Sequence, residues 1–98
     1  MRVTAGQIES AGAVRNALLN MGFTVEIKNS HICRVYSPGR DTGLSVVVMQ
    51  SSQGCFYETA LWSRSSQTIV YDQGRYEDVR QFETIDELIA EIRSVLLD

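Results

Sequence analysis

The residues best suited to metal or nucleophilic chemistry are one histidine and two cysteines. His31 and Cys33 are two residues apart, which places both side chains on one side of a β-strand, and Cys55 follows later. Imidazole and thiolate groups are zinc ligands, and a Cys–His pair can act as a nucleophile. The chain has no C-x-x-C pair, no second histidine and no obvious Asn or Asp to orient His31. We therefore predict no metal, no cofactor and no catalytic residue, and we expect the protein not to be an enzyme.

Acidic pairs and the glycine-containing loop lead to the same expectation. Glu77-Asp78 and Asp86-Glu87 are sequence neighbours, so their side chains point in different directions and do not form a general acid–base pair. Residues 37–43 contain two glycines and an arginine but lack both phosphate-loop spacings. This segment predicts a connecting loop.

Several aromatic and arginine side chains have the composition of a platform for single-stranded nucleic acid. They are Phe56, Trp62, Tyr71, Tyr76, Arg64 and Arg75. Glu58 falls in their midst and the net charge is −3, which opposes binding to phosphates. We expect nucleic acid not to be a partner and interpret the aromatic residues as core or subunit interface.

Length and composition indicate one globular domain over residues 1–98. The chain has 44% hydrophobic and 21% charged residues, and its apolar runs are too short to span a bilayer. The first residues form no apolar signal-peptide core, and two cysteines do not make a disulfide framework. We expect a cytoplasmic protein that does not bind membranes. Residues 72–98 carry three basic and eight acidic side chains, a net charge of −5.

The first helix is marked at both ends. Thr4 and Gln7 have the spacing of a capping box, and Gly22 suits the left-handed position after a helix, where Phe23 can fold back on Leu18. Apolar residues recur between these signals at helical spacing: Ile8, Ala11, Val14, Leu18 and Met21. The pattern predicts a helix over residues 4–21.

Gly12 lies in the middle of this helix, where glycine costs ~1 kcal/mol relative to alanine. Together with Ala11, Ala13 and Ala17 it forms a surface of small residues. This surface predicts close packing on the sheet or, alternatively, a tight contact with a helix of a second subunit.

The first hairpin alternates polar and apolar residues around a two-residue turn at Asn29-Ser30. Pairing Lys28 with His31 predicts an inner face of Phe23, Val25, Ile27, Ile32, Arg34 and Tyr36. The same register places the remaining side chains outward: Thr24, Glu26, Lys28, His31, Cys33 and Val35.

The second hairpin is apolar on both faces. Pairing Gln50 with Cys55 places one set of side chains together: Leu44, Val46, Val48, Tyr57 and Leu61. The opposite face holds Val47, Met49, Phe56, Ala60 and Trp62, with Ser45 and Glu58 between them.

Two further strands are expected over residues 67–72 and 76–82. Val70 continues the first face of the second hairpin, and Ile69 and Tyr71 continue the second. A tight turn over residues 72–75 would set Tyr71 opposite Tyr76.

The last helix is predicted over residues 84–97. Thr84 and Glu87 again have capping-box spacing, and an apolar stripe follows: Ile85, Leu88, Ile89, Ile92, Val95 and Leu96. The expected fold is α+β and two-layered, with about five sequentially paired antiparallel strands in the order αβββββα. We expect both helices on one face of the sheet, which leaves the other face without a cover.

That uncovered apolar face leads to the functional hypothesis, because such surfaces usually mark partner sites. The expected interface residues are Val47, Met49, Phe56, Ala60, Trp62, Ile69 and Tyr71. We expect a small non-enzymatic interaction module that forms a homodimer or binds another protein. One alternative is a small-molecule pocket between sheet and helices, lined by Tyr36, Tyr57 or Trp62. Another is an acidic accessory or inhibitory protein whose last third binds a basic partner.

Overall fold

A computed structural model describes residues 2–70 and 79–97 and has the predicted α+β element order. The helices are α1 (Ala5–Asn20) and α2 (Ile85–Leu96). The strands are β1 (Thr24–Asn29), β2 (Ile32–Tyr36), β3 (Thr42–Ser51), β4 (Gly54–Ser63), β5 (Thr68–Ile69) and β6 (Arg80–Phe82). Within the described ranges, no helix combines the length and apolar character needed to cross a membrane.

Helix α1 begins and ends as predicted. The Thr4 hydroxyl accepts from the Gln7 N–H at 3.1 Å, and the Gln7 side chain accepts from the Thr4 N–H at 2.8 Å, which completes the capping box. At the other end Gly22 has φ +89°. The Phe23 N–H donates to the Leu18 carbonyl at 3.2 Å. This pattern is a Schellman motif, whose left-handed residue is best served by glycine.

Gly12 is not held close to the sheet. A Cβ atom at this position would meet only the Arg15 guanidinium, at 3.8 Å. The prediction of close packing on the sheet at this residue is therefore wrong. The alternative, a contact with a second subunit, stays a prediction.

Replacing Gly12 with alanine is expected to raise the free energy of unfolding by about 0.5–1 kcal/mol, because alanine loses less backbone entropy in a helix. Urea denaturation of the two proteins at one concentration measures the difference. A loss of stability that grows with protein concentration would instead indicate that another chain approaches this helix.

The sheet is antiparallel, with β1 to β5 in sequential order. Strand β6 departs from the expected sequential pairing, because it lies against residues 57–59 of β4 and not beside β5. The two short strands β5 and β6 share one edge of β4, since β5 pairs only with Trp62 and Ser63. The predicted turn over residues 72–75 and the Tyr71–Tyr76 pair lie outside the described residues.

The predicted register of the first hairpin is wrong by one residue. Asn29 pairs with Ile32 and Ile27 with Cys33, so the register shifts at Lys28. The Asn29 side chain accepts from the His31 N–H at 3.0 Å and moves the turn one residue along the chain. As a result Cys33 and Val35 face the core, where the sequence predicted Arg34 and Tyr36. Ile32, Arg34 and Tyr36 lie on the opposite face.

The second hairpin has the predicted register and faces. Gln50 pairs with Cys55, and Gly54 takes φ +122° at the turn. Five side chains predicted to share one face are buried together: Leu44, Val46, Val48, Tyr57 and Leu61.

Both helices cover this same face, as expected. The core joins Ala11, Val14 and Leu18 of α1 and Leu88 and Ile92 of α2 to the inward side chains of the strands. The second capping box forms only in part. The Thr84 hydroxyl accepts from the Glu87 N–H, but the Glu87 carboxylate accepts from that hydroxyl and not from the backbone.

Two buried polar side chains fasten the helices to the sheet. Gln7 Nε2 donates to the Val48 carbonyl at 2.8 Å, and Ser37 Oγ donates to the Leu96 carbonyl at 2.6 Å. The first bond ties the start of α1 to β3, and the second ties the end of α2 to the segment after β2. With both helices on one side, the other side of the sheet is left open.

Candidate functional site

We call the side of the sheet opposite the helices the open face. The register places these residues on it: Glu26, Ile32, Arg34, Tyr36, Gly43, Ser45, Val47, Met49, Phe56, Glu58, Ala60, Trp62, Ile69 and Gln81. Six of the seven predicted interface residues are among them, namely Val47, Met49, Phe56, Ala60, Trp62 and Ile69. Tyr71 lies outside the described residues.

The apolar side chains of the open face shelter one another. Ala60 is buried, and Val47, Met49, Phe56, Trp62 and Ile69 are half-buried. The most exposed large apolar side chains of the described residues lie elsewhere, such as Ile27 at 65% and Leu97 at 64%. The exposure of apolar side chains therefore does not distinguish the open face from the rest of the surface. Its polar groups do.

The guanidinium group of Arg34 lies over the indole ring of Trp62. Its guanidinium carbon is 4.0 Å from the ring centroid, a distance typical of a cation–π contact. Ser45 and Ala60 lie next to Arg34 in the same row across the sheet, and both are small and buried. Because both side chains are small, they leave space for the Arg34 side chain to extend across the sheet.

Tyr36 is enclosed between the backbone and a second arginine. It is fully buried, and its ring lies against Gly43, whose missing side chain leaves room for it. The guanidinium carbon of Arg64 lies 5.0 Å from the centroid of the same ring. Burial, and then the negative charge of Glu26, raises the pKa of Tyr36, so the phenol keeps its proton.

Asp41 positions the loop that carries Arg64. Its carboxylate accepts from the Ser63 hydroxyl at 3.0 Å and from the Ser65 N–H at 2.8 Å. These two bonds lower the pKa of Asp41. Arg64 then reaches Glu26 with an N–O separation of 2.6 Å and a hydrogen bond from Nε at 2.9 Å.

Some hydrogen-bond donors on the open face are buried and have no acceptor. Within residues 2–70 and 79–97, Arg34 Nε and Nη1 and Trp62 Nε1 are enclosed and make no hydrogen bond. The Tyr36 hydroxyl is likewise enclosed, but Glu26 acts on it through its charge and a side-chain hydrogen bond, and both raise the pKa of Tyr36. An enclosed polar group left unpaired costs about 1–3 kcal/mol, and more when it is charged. These groups are thus the chemically distinctive feature of the face.

The three potential zinc ligands do not come together. Cys33 is buried in the core, and His31 lies at the turn before β2. Cys55 is the second residue of β4, next to the turn that joins β3 and β4. In the part of the chain that the structure describes, no group of three His, Cys, Asp or Glu residues is arranged to hold a metal ion. Burial raises the pKa of Cys33 to about 11.

The two cysteines are expected to differ strongly in reactivity. At pH 8 iodoacetamide should modify Cys55 readily and leave Cys33 intact, because the thiolate is the nucleophile and Cys33 is both buried and protonated. Intact-mass spectrometry over time should show one addition, followed by a second only in denaturant. Equal rates at the two cysteines would contradict the burial of Cys33.

The alternative of a small-molecule pocket between sheet and helices stays a prediction. Tyr57 faces the core while Tyr36 and Trp62 lie on the open face, so the three residues do not line one cavity. Two clefts along β6, of about 590 and 520 Å³, are lined by other residues, including Glu58, Gln81 and Phe82.

Three side chains of the open face were not expected there from the sequence. Arg34 and Tyr36 were assigned to the core side because the turn was misplaced, and Arg64 was considered only as part of a nucleic-acid platform. The Asn29 side chain, which can accept from a nearby backbone N–H and shift a turn, is the signal that would have corrected the first two. Of the proposed platform, Phe56 and Trp62 do share the open face, whereas Tyr71, Arg75 and Tyr76 lie outside the described residues.

Comparison with known proteins yields no relative. No protein-family model matches the sequence, no curated protein matches it, and no solved structure matches the fold.

Proposed function

We propose that this protein is a small cytoplasmic, non-enzymatic interaction module that forms a homodimer through the open face. The observation that carries the proposal is the group of enclosed, unpaired donors on Arg34 and Trp62. Buried polar groups of this kind are normally satisfied in native proteins. Because these atoms are closed to solvent within one chain, the acceptor of a partner meets them only when the side chains turn outward on binding. Trp, Tyr, Arg and Met, the residue types that surround these donors, are also enriched at protein interfaces.

The size of the open face is at the lower limit for a specific dimer interface. Strands β3 and β4 have ten residues each. With ~3.3 Å per residue and ~4.8 Å between strands, four strands present on the order of 500 Å² per copy. Two copies would bury ~1,000 Å², the lower end for specific interfaces. We therefore expect a reversible dimer that forms in the micromolar range.

Light scattering coupled to size-exclusion chromatography tests the proposal over a wide concentration range. The measured mass should rise from the 11.0 kDa of one chain toward twice that value. Trp62→Glu and Met49→Glu place a charge on the open face and should keep the protein monomeric. Leu19→Glu is the matched control, because Leu19 is 55% exposed on α1 at the other side of the molecule.

The outcomes separate cleanly when circular dichroism shows that each variant is folded. A wild-type protein that remains monomeric at millimolar concentration would overturn the proposal. Equal loss of the dimer in Leu19→Glu would place the interface on the helices instead.

A further inference from the structure

The guanidinium of Arg34 lacks an acceptor although a carboxylate lies beside it on the sheet. Glu26 pairs with Arg34 across β1 and β2, yet its side chain is bound to Arg64 at 2.6 Å. Asp41 is likewise engaged, by Ser63 and Ser65. Stacking on Trp62 holds the Arg34 plane in place, and two of its donor nitrogens, Nε and Nη1, are enclosed. Arg34 is therefore a fixed cation whose nearest carboxylates serve other groups.

A third carboxylate lies on the same face. Glu58 pairs with Val47 across β3 and β4, whereas Arg34 pairs with Ser45 across β2 and β3. The two residues are therefore two strands and two positions apart, roughly 12 Å at the usual strand spacing, and no ion pair or hydrogen bond joins them within the chain. Gln81 Nε2 donates to Glu58 Oε2 at 2.8 Å and orients the carboxylate while Oε1 can accept a further donor.

We infer that Glu58 of a second copy is the acceptor for Arg34. This inference rests on the proposed dimer and adds its polar contact. In a two-fold dimer the same surface of both copies is used, so each Arg34 meets the partner's carboxylate and two equivalent pairs form. The midpoint between Arg34 and Glu58 falls on β3 near Ser45 and Val47, which places the two-fold axis over the middle of the open face.

Charge complementarity selects a second copy over a differently charged partner. Among the described residues, the open face and its rim carry two arginines, Arg34 and Arg64, and two glutamates, Glu26 and Glu58. The rim also holds Asp41, whose carboxylate is bound by Ser63 and Ser65. One arginine and one glutamate are already paired within the chain. The two that remain have opposite signs, so the face complements its own two-fold image. Interfacial charge pairs of this kind fix the register of association.

Charge reversal on separate chains tests the pair directly. Arg34→Glu alone and Glu58→Arg alone should each be monomeric, because each homodimer would bring two like-charged pairs together. Mixed in equal amounts, the two variants should form a heterodimer in which both pairs are again complementary. Native mass spectrometry distinguishes it, since the variants differ in mass. A mixture of Arg40→Glu and Glu9→Arg, exposed positions away from the open face, should show no preference for the heterodimer.

The result distinguishes the pair from the dimer itself. A wild-type protein that never dimerises overturns the proposed function and this inference together. A wild-type dimer whose single variants associate normally, or whose mixture does not recover, overturns only the Arg34–Glu58 pair.

If Arg34→Glu fails to fold, Arg34→Gln and Glu58→Gln provide the same test. Each should weaken the dimer at least ~30-fold, because removing one member of an enclosed charge pair leaves the other charge buried without a partner. The double variant should be little worse than either single one. If the two single substitutions weaken the dimer independently, so that their effects on the dissociation constant multiply in the double variant, the Arg34–Glu58 pair is overturned.

Discussion

Replacing Gly43 with alanine is expected to lower the free energy of unfolding by about 3 kcal/mol or more, which is a large part of the 5–15 kcal/mol available to a domain. A Cβ atom at this position would overlap the Val35 carbonyl oxygen and the ring of Tyr36. Both neighbours are rigid, since one belongs to the sheet backbone and the other is fully buried. The glycine is therefore required for space, not for an unusual backbone angle.

The consequences of this substitution extend across the open face. Tyr36 would have to leave Gly43 and move toward Arg64, which bonds Glu26 and stacks on the same ring. A methyl group is thus expected to disturb the end of the face at which Trp62 also lies.

Urea denaturation of wild type, Gly43→Ala and Gly12→Ala provides the measurement. The same chemical change should destabilise at Gly43 and stabilise at Gly12, so the helix variant is the internal control. Repeating Gly43→Ala in a Tyr36→Leu background should reduce its cost without removing it, because the Val35 carbonyl remains. A Gly43→Ala variant within ~0.5 kcal/mol of wild type would show that the strands can separate to admit a methyl group.

Helix α1 and the second hairpin could be predicted because the residues that define them lie close together in the sequence. Thr4, Gln7 and Gly22 delimit α1 through bonds that close within a few residues, and the structure has all of them. The second hairpin has long alternating strands, and a shift of one residue would invert every side chain at once. Its faces, and hence six of the expected interface residues, were predictable for this reason.

The first hairpin was not predictable in the same way. Its strands are short, and a single side-chain bond from Asn29 moves the turn and introduces a register shift at Lys28. That shift exchanges Arg34 and Tyr36 for Cys33 and Val35, and so decides which groups occupy the open face. Gly43 shows the related difficulty, since glycine in a run with Pro38 and Gly39 indicates a loop, whereas Gly43 lies inside β3 beneath an aromatic ring.

Pairing between segments that are distant in the sequence could not be predicted from local patterns either. Strand β6 selects β4 as its neighbour, and its position depends on packing along that edge. The unpaired donors on Arg34 and Trp62 depend on the same long-range arrangement. The apolar residues of the open face were therefore predictable from the sequence pattern, but the arrangement of its charged groups was not.

Gln7 is expected to be the most costly polar side chain to remove. Its amide oxygen accepts from the Thr4 N–H and its amide nitrogen donates to the Val48 carbonyl, both at 2.8 Å. Gln7→Ala should lower the free energy of unfolding by about 2 kcal/mol, because it removes both bonds and leaves a buried carbonyl unpaired. Thr4→Ala, which removes only the hydroxyl cap, should cost about 1 kcal/mol. Equal costs for the two variants in urea would show that the bond to β3 adds nothing.

Gln7→Glu separates the two bonds through pH. The introduced carboxylate still accepts from the Thr4 N–H, as glutamate does in capping boxes, but it cannot donate to the Val48 carbonyl while it is ionised. Burial beside that carbonyl should raise the pKa of the introduced group above its unfolded value of about 4.3. A raised folded pKa means that the stabilising contribution is present below the unfolded pKa and is lost as pH rises through the folded one. Relative to wild type, Gln7→Glu should therefore be nearly as stable near pH 4 and clearly less stable at pH 7. A difference from wild type that does not change with pH would refute the donated bond from α1 to β3.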